Sequence, residues 1–286
     1  MRSAGNKLTI ASILAGIFTV ILITAAGTKN DSYSKIGQTG TNQNTFSKDL
    51  PTKTNEAFKP GELLSYRLHY GALEAAHATL EVKPDLEKIG ARDCYHIVGL
   101  GISKGSFDWV YKVRDKYETY IDKNALVPWI FNRNCSEGGY EIHQNYIFNH
   151  FTNKVDVGGG QTFPFADGTQ DMISAFYSAR NMDFTNAKEG DIYSLNCFID
   201  KENWPLKIKF VGREVIKSDV GKIRCLKFRP IVQKGRVFKK EEDLTIWISD
   251  DKNHIPIRGQ AKILIGSIKL DLTGFKNLAN DIAKVD

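Results

Sequence analysis

The chain has 286 residues, 42% hydrophobic and 25% charged. That composition excludes wholesale disorder, collagen and a polytopic membrane protein, and four cysteines are too few for a disulfide scaffold. The net charge of +6 is concentrated at the start, where residues 1–55 hold Arg2, Lys7, Lys29, Lys35, Lys48 and Lys53 against Asp31 and Asp49. The remainder carries only +2, so nucleic acid is not an expected partner.

The N-terminus reads as an address. Arg2, Lys7 and the α-amino group precede an uncharged run from Leu8 to Gly27, the basic and apolar regions of an export signal. Thr24-Ala25-Ala26 offers small residues to a signal peptidase, and no Cys follows for lipid attachment. The run is also nearly the roughly 20 residues needed to cross a bilayer. Residues 1–27 are therefore expected to be a signal peptide or an N-terminal membrane anchor built on residues 8–27. Either places the rest in the periplasm or cell envelope, with membrane contact only through this segment if it stays uncleaved. Residues 28–56 are rich in Thr, Asn, Ser, Gly and Lys without an apolar period, and are expected to be a disordered tether.

Residues 57–275 are expected to form one β-rich domain, followed by a C-terminal tail at 276–286. Phe107 to Ile121 is dense in aromatic and β-branched residues, which predicts one long strand. Gly158-Gly159-Gly160 predicts a flexible or tight connection. A helix is expected at about 169–182, capped by Asp167 or Thr169, with Met172, Ala175, Phe176 and Ala179 on one face. Leu206-Lys207-Ile208-Lys209-Phe210 alternates as a half-buried strand does. Lys262 to Leu272 alternates around Gly266-Ser267, which predicts a hairpin. A second short helix is a weaker expectation near Phe275–Ile282.

The two halves repeat. Lys59-Pro60-Gly61-Glu62-Leu63 matches Lys188-Glu189-Gly190-Asp191-Ile192, and Gly90–Cys94 matches Gly221–Cys225. Lys104-Gly105-Ser106-Phe107 matches Lys234–Phe238, with Phe one place later. Tyr120-Ile121 matches Trp247-Ile248. Asp122-Lys123-Asn124 matches Asp251-Lys252-Asn253, followed by Pro128 and Pro256. Five matches in one order predict two duplicated antiparallel strand meanders, about 57–165 and 187–275, joined by the helix. The curved sheets are expected to cover each other or to close into a barrel-like roll, with the helix plugging an end or lying across a face.

Phe58–Tyr66 with Tyr70-Gly71, Asp167–Tyr177, and Leu244–Ser249 before Pro256 resemble the bacterial domain-of-unknown-function 3108 family across nearly all of residues 57–275. The resemblance implies an exported envelope protein of a Gram-negative bacterium with a β-rich fold. That family has no established activity, so the resemblance implies no catalytic residue.

Motifs for chemistry are sparse. His69, His77, His96, His143, His150 and His254 lack zinc-type spacing. Cys94-Tyr95-His96 is the best local thiol–imidazole pair, and His69 and His77 would meet across a turn at 71–76. There is no nucleophile elbow, phosphate loop or dinucleotide fingerprint. Asp167 and Asp171 are the closest carboxylate pair, which helix capping also explains. No catalytic residue, metal ligand or cofactor is expected. Cys94, Cys135, Cys197 and Cys225 are candidates for disulfides, or else buried thiols. Trp109, Tyr111, Tyr117, Tyr120, Trp129, Tyr146, Phe148 and Trp247 are expected on strands, filling a core or lining a cavity for an apolar ligand. The expected function is a non-enzymatic envelope protein that binds a lipid or other apolar ligand. The alternatives are a hydrolase of envelope polymers, with Asp167, Asp171, a His or a Cys converging in a cleft, and a structural module that recruits an envelope protein partner.

Overall fold

Period-two alternation dominates the architecture. The computed structural model describes residues 49–231, 244–262 and 266–286. The expected export segment, residues 28–48 of the expected tether and the Lys234–Phe238 repeat match lie outside them.

Strands β1 (Leu63–Tyr70), β2 (Leu73–Ile89) and β3 (Arg92–Ser103) lead to the short helix α1 (Gly105–Val110). Then follow β4 (Val113–Asp122), β5 (Pro128–Glu137), β6 (Tyr140–Asn149), β7 (Lys154–Asp156) and β8 (Thr162–Pro164). Helix α2 (Met172–Ala179) links them to β9 (Ile192–Ile199), β10 (Glu202–Ser218), β11 (Gly221–Pro230), β12 (Leu244–Ser249), β13 (Pro256–Lys262), β14 (Ser267–Lys276) and β15 (Lys284–Val285). All fifteen strands belong to one sheet, ordered β8 to β1 and then β14 to β9, with β15 alongside β11. The meanders are joined where β1 pairs antiparallel with β14.

The meanders share local geometry. β2 and β10 are both 17 residues long. Gly61 N donates to Val82 O at 2.8 Å, and Gly190 N to Phe210 O at 3.0 Å. The return bonds are Val82 N to Glu62 O, 2.9 Å, and Phe210 N to Asp191 O, 2.8 Å. Matching register shifts fall at Tyr120/Ile121 and at Trp247/Ile248.

The sheet curls into a roll that, among the described residues, no continuous ladder closes. Side chains join its ends instead. Arg133 Nη1 and Gln144 Nε2 donate to Asp200 at 3.3 and 3.0 Å, and Asn203 Nδ2 donates to Pro164 O at 2.8 Å. Phe198 of β9 packs edge-to-face against Tyr146 and Phe148 and at a tilt against Phe163. One core cluster takes residues from both meanders and from α2.

Several expectations change in detail. Phe107 to Ile121 is not one strand: Gly105, at φ +57°, ends the extended run, and α1 follows. Asp108 holds that turn by accepting from Ser103 Oγ and from Arg114. Trp109 is consequently exposed rather than in the core. Tyr120 lies on the outer side, stacked on His96 at 4.4 Å, while Tyr117, Trp129, Tyr146, Phe148 and Trp247 are buried. The linking helix is shorter than expected, and Asp171 caps it. Asp167 instead accepts from Asn153, and Thr169 Oγ1 donates to Ala166 O. The Gly158–Gly160 connection is a tight turn closed by Gln161 N on Gly158 O at 3.1 Å. The hairpin joins β13 to β14 with Lys262 opposite Ser267, so Ser267 belongs to the strand.

The expected helix near 275–282 is absent. Phe275 and Lys276 extend β14 against β1, and Asn253 Nδ2 holds the carbonyls of Asn280 and Asp281. The stretch read as a tail therefore packs on the fold and ends in β15 against β11. Residues at the end of the expected tether also dock: Lys53 N donates to Asn124 O at 2.7 Å, and Glu56 N to Asn181 Oδ1 at 3.0 Å.

Candidate functional site

Helix α2 sits inside the curl, and its placement creates the site. Asp171 Oδ1 accepts from Ile173 N at 2.7 Å and Ser174 N at 2.8 Å, and Asp171 N donates to Ser174 Oγ, completing a capping box. Its other oxygen accepts from Thr119 Oγ1 of β4 at 2.6 Å. Burial pushes the Asp171 carboxyl up to about 6 in spite of these donors. Next to α2, β3 carries Gly99, where a Cβ would lie 3.2 Å from Leu80 and 3.6 Å from Ile173. The missing side chain lets the helix approach this wall closely.

The helix C-terminus is anchored by charge. Arg180 Nη1 and Nη2 donate to Glu62 at 2.6 and 2.8 Å, with both side chains essentially inaccessible. Its remaining donors reach Asn253 O and Ala57 O, each at 2.8 Å. His254 Nδ1 donates to the Arg180 carbonyl at 2.7 Å, and burial holds its imidazole below the usual range.

The other side of α2 is covered over Met172 and Ala175 but only half-buried at Phe176 and Ala179. Met172, Ala175, Phe176 and Ala179 face the second meander across an apolar cleft of about 750 Å³, measured to its open mouth. Across it stand Tyr193 and Leu195 of β9, Leu206 and Ile208 of β10, Phe228 of β11, and Ile246 and Ile248 of β12. These residues are cross-strand neighbours: Tyr193 opposes Ile208, Leu195 opposes Leu206, and Phe228 opposes Ile246. Phe184 closes one side, with its ring 4.8 Å from Tyr193, 5.0 Å from Phe228 and 5.0 Å from His254. The polar groups at the rim are few, and Arg180 and His254 are already committed to protein partners. The walls of the cleft offer dispersion and apolar burial rather than acid–base chemistry.

The helix stripe expected from the sequence lines this cleft, as do Leu206 and Ile208 of the alternating strand. Tyr193 and Phe184 were not singled out, and His254 was weighed only as one of six histidines without zinc-type spacing; the folded sheet brings all three to the cleft beside Phe228. The candidate catalytic groups do not converge. Asp167 is exposed beside Asn153, whereas Asp171 is spent on the helix cap. His96 binds Glu118 at 3.2 Å, and Cys94 Sγ lies 3.8 Å from Arg92 O. His69 bonds Asp271, His77 bonds Glu74, His143 bonds Asn134, and His150 bonds the Pro128 carbonyl, so none pairs with another His. Cys94, Cys135, Cys197 and Cys225 are buried free thiols. Burial pushes these thiols up to about 12, 11, 12 and 12, away from nucleophile chemistry. Among the described residues no helix is long and apolar enough to cross a membrane.

The family model for proteins of unknown function DUF3108 matches residues 65–273. No curated protein matches the chain. Among solved structures, a β-barrel-like DUF1849 protein from Brucella abortus is similar at 11% identity and TM-score 0.48, covering 77% of this chain and 99% of its own. A candidate lipoprotein from Parabacteroides distasonis is similar at 12% identity and TM-score 0.33, covering 80% and 100%. A candidate exported protein with a YmcC-like fold from Bacteroides fragilis is similar at 10% identity and TM-score 0.29, covering 80% and 98%.

Proposed function

We propose that the chain, which belongs to the DUF3108 family of proteins of unknown function, is a non-enzymatic carrier of a lipid or other apolar molecule in the cell envelope. The cleft between α2 and the second meander carries this reading. Six aliphatic or aromatic side chains on β9, β10 and β12 (Tyr193, Leu195, Leu206, Ile208, Ile246 and Ile248) remain only half-buried there. Leaving such a contiguous wall uncovered sacrifices about 25 cal/mol per Å² of burial, which an apolar ligand would recover. Each methylene of an acyl chain placed in the cleft would contribute up to about 0.8 kcal/mol before ordering costs. The export reading rests on Arg2, Lys7 and the apolar run of residues 8–27, and sets the carrier in the periplasm or on the inner membrane's outer face.

The test is lipid extraction and mass spectrometry of protein purified from the envelope, together with titration of a fluorescent fatty acid. The expected result is one probe per chain, displaced by lipid. Ala179→Phe, which fills the cleft, should lower affinity at least about tenfold. No bound lipid and no saturable probe binding would overturn the reading, as would an Ala179→Phe variant that binds normally. Recovery of a protein partner without lipid would instead support the recruiting module.

A further inference from the structure

We propose that Asp115, Cys135 and Glu137 form a buried binding site for a thiophilic divalent cation of the zinc class. The two strands that build it are adjacent. Asp115 of β4 lies directly opposite Cys135 of β5, and Glu137 is two residues further along β5. With a period of two, all three side chains share the inner face. Their ligand atoms lie within 4.8 Å of one another, and all three residues are buried. A tetrahedral zinc ion, with Zn–S about 2.3 Å and Zn–O about 2.0–2.2 Å, holds its ligand atoms roughly 3.3–3.7 Å apart. Small side-chain rotations from this arrangement reach that geometry.

Unmet bonding capacity points to a ligand independently. Asp115 is 4% exposed and Glu137 7% exposed, yet Asp115 Oδ1 and Glu137 Oε1 accept from no fixed donor among the described residues and meet only each other and the Cys135 thiol, so a shared proton or a cation must satisfy them. Buried oxygens without donors are costly, and a cation between them removes that cost. The charge also favours a cation. Arg133, on the same face of β5 and 5% exposed, sits over the Tyr117 ring at 5.7 Å and pairs with the rim residue Asp200. Two carboxylates and a thiolate carry −3, of which a divalent ion offsets two, and Arg133, shared with Asp200, offsets part of the remainder. The thiolate selects a borderline or soft metal over calcium or magnesium, which take oxygen ligands. Asp115 also borders a shallow apolar pocket between β2, β3 and Tyr111.

The experiment measures metal content of the purified full chain after zinc loading and dialysis, and the absorption of the cobalt-substituted protein. One zinc per chain is expected, together with a thiolate-to-cobalt charge-transfer band. Cys135→Ser should abolish the band. Glu137→Gln and Asp115→Asn should each weaken zinc binding by more than the roughly 10- to 100-fold typical of outer-shell changes. Circular dichroism identifies which variants fold, and Glu137→Gln, which conserves shape, serves if Cys135→Ser does not. A folded wild type without stoichiometric zinc or without the band would overturn the site. So would folded variants that bind zinc as tightly as wild type.

Discussion

Replacing Glu62 by Ala should be among the most damaging single changes in this protein. Arg180 would keep its bonds to Asn253 O and Ala57 O but lose two charged hydrogen bonds and the counter-charge that Glu62 supplies in the interior. The guanidinium cannot shed its proton to escape. Breaking a buried pair from one side costs about 3–5 kcal/mol, because the uncompensated charge remains. For a fold of this size each kcal/mol shifts the melting temperature by roughly 2–4 °C, so a fall of about 6–20 °C is expected. Glu62→Gln keeps the shape and one acceptor but removes the counter-charge and turns an amide N–H toward the guanidinium, so it too should lose about 3–5 kcal/mol. Urea unfolding measures both, as a lower midpoint at constant slope. The double variant Glu62→Ala/Arg180→Met removes the stranded charge and should recover most of the loss. The reasoning fails if Glu62→Ala costs less than about 1 kcal/mol, or if the double variant is no more stable than Glu62→Ala.

Three further predictions concern other groups. The Asp171 carboxyl, raised to about 6, holds its proton to higher pH in the folded chain than in the unfolded one. Stability from this residue is therefore full below about pH 4 and lost as pH rises through 6, on the order of 2–3 kcal/mol. Asp171→Asn keeps a good cap and should flatten that part of the profile; parallel pH profiles would refute the assignment. The four thiols should resist a disulfide reagent at pH 8 until the protein is unfolded, when all four react; rapid native labelling would contradict their burial. Trp109→Ala removes an 89% exposed ring, and should change stability by less than about 0.5 kcal/mol while shifting tryptophan emission to the blue. A red shift would place that ring in the interior.

How far the sequence could lead depended on the range of the interaction involved. Alternation placed strands at residues 206–210 and 267–272 because side-chain direction is a local property of extended backbone. The duplication was legible because turns such as Gly90 and Gly221 constrain the chain wherever they sit. Local composition misled at Phe107–Ile121, where Gly105 and the Ser103–Asp108–Arg114 bonds override strand propensity. The cap was misplaced because Asp167 and Thr169 are good capping types too, whereas Asp171 has both the local capping box with Ser174 and the tertiary bond from Thr119. Neither the Glu62–Arg180 pair, 118 residues apart, nor the Asp115–Cys135–Glu137 cluster has a one-dimensional spacing to find. Both depend on register between elements, which pattern alone does not supply.

The duplication also explains why a cleft exists. By strand register, Leu64, Tyr66, Leu80, Ile97, Thr119 and Ile121 of the first meander correspond to Tyr193, Leu195, Ile208, Phe228, Ile246 and Ile248 of the second. The first set is buried, with Thr119 bonded to the helix cap; the second lines the cleft. Two equivalent concave walls thus face one helix, and one helix of eight residues cannot fill both. Ile173 approaches the first wall at Gly99, leaving Ala175 and Ala179 toward the second. If the vacancy is retained for a ligand, filling it should favour folding and harm binding. Ala179→Phe would bury part of a side chain worth about 1.5–3 kcal/mol when fully buried, and after strain should stabilise by about 0.5–2 kcal/mol. The same variant should lose probe affinity at least about tenfold, the pattern of a stability–function trade-off. Urea unfolding and probe titration on one preparation decide it. A destabilised variant that still binds the probe normally would show that the second wall is not the ligand site.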